Sequence, residues 1–269
     1  MCGRYYMEDD TAREIEKVIR WVDGKLRAQQ GLQETGAVWK EETAQEVKER
    51  VVHGAERESK ERISQEAGQE QKAGIAQEQR MRSRDEERAG AQNPKASDIF
   101  PTTIAPVIGA GIETAGYRAL ECRMLRWGMP GYAPKANGKK GQVIFNARSE
   151  TAMEKPTFRE GIQSHRIVVP AAGFYEWNSK KEKYRFRRTD SPVLFMAGCF
   201  RHYEDGERFV ILTTAANASM EPVHDRMPLI LEPDEIADWI WDGERTKNLL
   251  EKQPCLLERT TDYEQMTLF

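Results

Sequence analysis

Cysteine is the second residue of the chain, and a small residue in that position lets the initiator Met1 be removed, which would leave Cys2 at the N-terminus. One residue then carries two nucleophiles. An α-amine with a pKa of about 7.7 to 8.0 is roughly a tenth neutral at pH 7, and a thiol with a pKa of about 8.5 sits on the adjacent carbon. The amine attacks an aldehyde to give a Schiff base. The thiol then adds to the imine carbon and closes a five-membered thiazolidine. The bland alternative is that Cys2 is only the second codon.

Four further segments carry groups suited to such chemistry. In FNARSET (Phe145 to Thr151), an extended backbone puts Asn146 and Arg148 on one face and Ala147 on the other. Buried there, they would need a ligand or each other; on an edge strand they would simply be solvated. VVPAAGFYEW (Val168 to Trp177) delivers Glu176 between Tyr175 and Trp177, an apolar setting that favours acid/base use of a carboxyl. A strand-end ion pair is the competing reading. ASMEPVHDRMPLIL (Ala218 to Leu231) places His224 and Arg226 in a proline-restricted loop before a strand. Of the other histidines, His53 lies in a charged stretch, while His165 and His202 flank predicted strands and read as solvated. LRWGMPGY (Leu125 to Tyr132) offers Trp127 either as a surface on which bases stack or as core packing.

The elements that must position these groups are legible in the rest of the chain. Of 269 residues, 39% are hydrophobic and 32% charged, enough for a sizeable core. No uninterrupted apolar run approaches membrane-spanning length, and MCGRYYMEDD does not read as a secretory signal, so a cytoplasmic protein is expected. Cys2, Cys122, Cys199 and Cys255 are scattered, without metal-ligand spacing or a disulfide framework. Neither a metal nor a cofactor is called for. The net charge of −3 excludes a uniformly basic coat while allowing a local basic groove.

CGRYYM reads as extended. It is followed by DDTAREIEKVIRWV, where Ile15, Val18, Ile19 and Val22 recur at helical spacing. From about 25 to 92, Gln, Glu, Lys, Arg and Ala dominate, which predicts a charged helical or partly disordered insertion with no core of its own. Between Glu34 and Asn93 fall 11 of the 41 Lys and Arg and 14 of the 44 Asp and Glu, so the rest of the chain is formally neutral. Beyond Phe100, QVIFNA, HRIVVPA, KYRFRR, SPVLFMAGCF, RFVILTTA and MPLILE read as strands. PDEIADWIWDG reads as a helix with Asp234 as N-cap and Gly243 past its end, and TKNLLEK as another. The class is α+β, with a mostly antiparallel, barrel-like β core, flanking helices and the charged helical insertion.

CGRY, LRWGMP, NARSET, PAAGFYEW and HDRMP, in that order, resemble the SRAP family, the SOS-response-associated peptidases that crosslink to abasic sites in DNA. The resemblance covers the opening residues and nearly everything from about Asp98 onward, as a single domain interrupted by the insertion. It implies a DNA-damage-response protein, nucleoid-associated when bound, whose partner is single-stranded or junction DNA. Cys2 would trap the ring-opened aldehyde, Glu176 would assist ring opening and Schiff-base formation, and His224 would contact the sugar oxygen or assist reversal. Asn146 would hold the N-terminal residue or the sugar in register. Arg4, Arg148 and Arg226 would bind flanking phosphates, for which the guanidinium fork is suited. Trp127 and Trp177 would stack or wedge against bases. The implied peptidase activity is read as removal of residues ahead of Cys2, beside a possible lyase activity.

Two readings from other classes compete. Class II glutamine amidotransferases also begin with MCG and use a free cysteine as acyl acceptor, but only the first three residues support that reading. A non-catalytic DNA-binding module would make Cys2 incidental.

Overall fold

A computed structural model describes residues 3–29, 97–111, 118–131 and 142–261. Cys2, His53 and the insertion from residue 30 onward lie outside the described residues. The chain opens with β1 (Arg4–Met7) and α1 (Thr11–Gln29), then continues through β2 (Ser97–Ile99), β3 (Ile104–Ala110), β4 (Leu120–Trp127) and β5 (Met129–Pro130). Next come β6 (Val143–Ile144), β7 (Asn146–Arg148), α2 (Ser149–Ala152), α3 (Pro156–Ser164), β8 (Arg166–Ala171), β9 (Gly173–Trp177) and β10 (Lys183–Arg187). The last part contains β11 (Leu194–Tyr203), β12 (Gly206–Ala215), β13 (Arg226–Pro228), β14 (Ile230–Leu231), α4 (Ile236–Trp241), α5 (Gly243–Leu250) and β15 (Glu258–Thr261).

Five strands close into a barrel, because β12 pairs with β4, β4 with β3, β3 with β8, β8 with β11, and β11 with β12 again. All but the β12–β4 contact are antiparallel. A second, antiparallel sheet runs β15-β10-β9-β1-β2. The α+β class with a barrel-like core is therefore what the chain adopts.

The apolar runs are continuous because both faces of the barrel strands are covered. In β8, Ile167, Val169 and Ala171 join the core shared with the second sheet, while Val168 joins the core under the helices. In β12, Phe209 and Ile211 face the first of these cores and Val210 and Leu212 the other. α1 docks as its periodicity predicts, through Ile15, Val18 and Val22. Buried Asp23 ties it down by accepting the Leu120 N–H at 2.9 Å, and burial raises its carboxyl pKa. The helix runs on to Gln29, so Lys25 to Gln29, expected as the start of the insertion, belong to it.

Arg166 clamps the helical layer. Its buried guanidinium donates to the carbonyls of Ile162 (2.7 Å) and Gln163 (2.8 Å) at the end of α3, and of Trp239 and Ile240 (3.0 Å) in α4. A cation held at helix C-termini also meets their negative dipole ends.

One helix boundary differs from expectation: Asp234 lies inside a 3-10 turn, Pro233–Glu235, which Glu232 and Glu235 close as a capping box. Gly243 lies past the end of α4 at Trp241, as expected, and it also opens α5, because Asp242 accepts the N–H groups of Glu244 (2.9 Å) and Arg245 (3.0 Å) and starts a new helix. α3, which the sequence reading did not anticipate, begins with Pro156 at its first turn. His165 is not solvated as expected. It is half-buried against the Phe200 ring at 4.9 Å, and burial lowers its pKa.

Candidate functional site

β9 presents its side chains alternately. Phe174 faces the core shared with the barrel, as do Tyr184 and Phe186 of the neighbouring β10, and Glu176 lies on that same face. Tyr175 and Trp177 occupy the other face with Tyr6. Gly173 is required where the strand begins: a Cβ there would lie 2.4 Å from the Tyr6 hydroxyl and 2.5 Å from the Phe186 carbonyl oxygen. Glu176 is 4% exposed, and its Oε1 accepts the Trp177 N–H at 3.3 Å. Glu176 is thus a buried carboxyl on the core-facing side of β9.

β1 runs antiparallel to β9, with Arg4 opposite Tyr175, Tyr5 opposite Phe174 and Tyr6 opposite Gly173. This register sets Arg4 beside the residue that precedes Glu176 in β9. Arg4 itself lies between two aromatic rings, 4.4 Å from the centroid of Phe100 and 5.4 Å from that of Trp177, and pairs with Asp98 at 3.5 Å.

The other groups assemble around the C-terminal half of β12. β7 pairs parallel with it, placing Asn146 opposite Ile211 and Arg148 opposite Thr213, while β13 pairs on its other side, placing Arg226 opposite Ala215. Ala147 points into the helix-side core, so Asn146, half-buried, and Arg148, exposed, share the opposite face. Arg226 spans the gap between the two flanking strands. Its Nη1 and Nη2 donate to the two oxygens of Glu150 at 2.6 and 2.8 Å, and Nη2 also donates to the Thr213 carbonyl at 2.6 Å. The guanidinium beside Glu150 holds that carboxyl below its ordinary range. Arg226, expected on flanking phosphates, is thus engaged within the protein, whereas Arg148 is the exposed cation of this group.

His224 is half-buried in the turn before β13. Its Nδ1 accepts the Arg226 N–H at 3.0 Å, which places the proton of the neutral ring on Nε2. The same Nδ1 lies 2.9 Å from Asp225 Oδ1. Asn217, which the sequence reading passed over, braces this turn. Its buried amide donates to the carbonyls of Pro254 (3.0 Å) and Cys255 (2.8 Å), and its oxygen accepts from the Ser219 backbone and hydroxyl. Glu150 was also missed, although it lies two residues after Arg148 within the NARSET motif.

Trp127 resolves toward packing. It is 0% exposed, its ring centroid lies 5.1 Å from that of Tyr5 and 5.9 Å from that of Phe145, and its indole N–H donates to the Phe145 carbonyl at 2.8 Å. It has no face for a base, and instead fixes the backbone immediately before Asn146 while supporting β1. Trp177 is partly exposed beside Arg4. Among the described residues, no three His, Cys, Asp or Glu groups come together to hold a metal ion.

The model of the SOS response associated peptidase (SRAP) family matches residues 1–268. The chain belongs to the SRAP family. Among SRAP relatives, YoqW of Bacillus subtilis, named an abasic site processing protein, is 36% identical over 126 residues, covering 43% of this chain and 55% of its own. YedK of Escherichia coli, named likewise, is 34% identical over 117 residues, covering 41% and 52% respectively. The chain thus spans about half the length of these curated relatives. A crystal structure of a protein from Bordetella bronchiseptica matches with a TM-score of 0.50 and 27% identity, covering 64% of this chain and 89% of that one.

Proposed function

We propose that this SRAP protein processes abasic sites in DNA by forming a covalent crosslink through Cys2. The observation that carries the reading is the β1–β9 register. Arg4 lies opposite Tyr175, the residue before buried Glu176, and Cys2 precedes Arg4 by two residues, so the length of the chain alone keeps it within about 7 Å of Arg4.

The chemistry balances without a cofactor. Once Met1 is removed, the Cys2 amine adds to the open-chain aldehyde of the abasic sugar. Glu176 passes a proton to the departing oxygen, and one water leaves to give the imine. The Cys2 sulfur then bonds to the imine carbon while the thiol proton goes to nitrogen, closing the thiazolidine. Asn146 holds the sugar or the N-terminal residue, and Nε2–H of His224 reaches the sugar oxygen. Arg4 and Arg148 bind phosphates of single-stranded or junction DNA, and Trp177 wedges beside the lesion. Arg226 takes a phosphate only by yielding part of its contact with Glu150. Removal of Met1 is the peptidase step of this reading, and strand scission from the imine would be its lyase side-reaction.

Intact-mass spectrometry with a single-stranded oligonucleotide carrying one abasic site tests the proposal. The expected product is protein lacking Met1 plus the DNA mass less one water, formed without reductant and absent with undamaged DNA. Cys2→Ser should give a Schiff base but a less durable adduct. If Met1 is absent and no adduct forms, crosslinking is refuted.

A further inference from the structure

Between Gly173 and Arg188 the sequence holds six Lys or Arg and only two Glu. The fold withdraws both carboxylates. Glu176 is buried on the core-facing side of β9, and Glu182 is turned back into the β9–β10 connection, where its Oε2 accepts the Asn178 amide at 2.6 Å. Asn178 also orders that turn, its Oδ1 accepting the N–H groups of Lys180 (2.9 Å) and Glu182 (3.0 Å). Lys180 and Lys181 are exposed at the tip.

Behind the tip, cations lie on rings. The ammonium of Lys183 is 3.8 Å from the Tyr175 centroid, and the guanidinium of Arg185 is 5.2 Å from that of Tyr6 and 5.7 Å from that of Tyr175. A ring orients a cation without neutralising it. Among the described residues, Lys180, Lys181 and Arg185 enter no ion pair, whereas Arg187 is paired with Glu258 at 2.5 Å and Arg188 with Asp190 and Glu232, each at 2.7 Å. The register joins this surface to the site: Lys183 lies opposite Trp177, and Arg185 opposite Tyr175, which in turn faces Arg4.

We propose that the outer face of the β9–β10 hairpin, through Lys180, Lys181, Lys183 and Arg185, binds the phosphates of the DNA strand as it leaves the site past Trp177. This rests on the proposed function, because it extends the same strand's path. The hairpin supplies charge rather than base readout, so its contribution is independent of sequence and sensitive to salt.

The test compares wild type with K180Q/K181Q/K183Q by fluorescence anisotropy on undamaged single strands of about 20 nucleotides across a salt series. Each lost phosphate contact should reduce the log-log salt slope by about 0.7, so the triple variant should lose about 2 from the slope. Its affinity should fall about tenfold or more at low salt. Arg185→Gln alone should lower the slope by about 0.7. Lys247→Gln, the same charge change on α5, should leave both quantities unaltered. A triple variant with wild-type slope and affinity, or a Lys247→Gln variant that weakens binding equally, overturns the hairpin proposal. Abasic crosslinking by wild type, read in parallel by intact mass, reports separately on the proposed function.

Discussion

Glu150 and Arg226, 76 residues apart, form a two-bond ion pair at 2.6 and 2.8 Å that ties the strand carrying Asn146 and Arg148 to the turn carrying His224. The pair lies beside Thr213, whose carbonyl takes a further bond from Arg226, so β12 is the frame on which both motifs are aligned.

Arg226 holds the Glu150 carboxyl below its ordinary range, and the pH dependence follows from that sign. A group whose folded pKa is depressed contributes stability above its unfolded pKa of about 4.3, and that contribution is lost as pH falls through the folded value. Glu150 is 46% exposed, so after solvent screening the pair is worth about 0.5–1 kcal/mol. Glu150→Gln should lower the thermal midpoint at pH 7 and converge with wild type in acid. A deficit that persists unchanged at pH 3 would refute this.

Arg166→Met removes a buried cation that satisfies four carbonyls and leaves those acceptors without their donor. The expected loss is about 3 kcal/mol or more, read by calorimetry or urea unfolding. Arg166→Lys should recover little, since one ammonium cannot reproduce the guanidinium's reach to two helix ends. A variant within 0.5 kcal/mol of wild type would count against the clamp.

Trp127→Phe keeps most of the ring packing but removes the indole N–H from the Phe145 carbonyl. It should cost about 1–3 kcal/mol of stability while leaving affinity for undamaged single strands unchanged. Trp177→Ala should do the reverse. Weakened DNA binding by a folded Trp127→Phe would restore the stacking role expected from the sequence.

Glu176→Gln should slow abasic crosslinking by about 100-fold or more, the usual range for a lost acid/base group, without weakening binding to undamaged DNA. Single-turnover rates from intact-mass time courses measure it. An unchanged rate removes Glu176 from the mechanism.

Cys199 is fully buried, and burial pushes its thiol up to about 12. It should resist a thiol reagent at pH 8 in the native protein and react on unfolding, while exposed Cys122 labels at once. Peptide mapping after labelling distinguishes the two sites.

Local pattern alone was enough to identify most strands, the docking face of α1 and the α+β class. Apolar runs and helical spacing are properties of neighbouring residues, and the barrel buries both faces of the strands that read as continuously apolar. The sequence also singles out Cys2, Asn146, Glu176 and His224 as candidates, because such residue types are unusual in their surroundings. Partnership was not. Whether Trp127 met bases or core, and whether Arg226 met phosphate or carboxylate, depended on residues far along the chain. The pairing of β12 with β7 on one side and β13 on the other brought Glu150 to Arg226, and ring contacts with Tyr5 and Phe145 enclosed Trp127. Helix boundaries divided in the same way. Glu232 and Glu235, not Asp234, close the turn that leads into α4, and Arg166, an ordinary strand-initial arginine in the sequence, became the clamp of two helices only once their carbonyl ends converged on it.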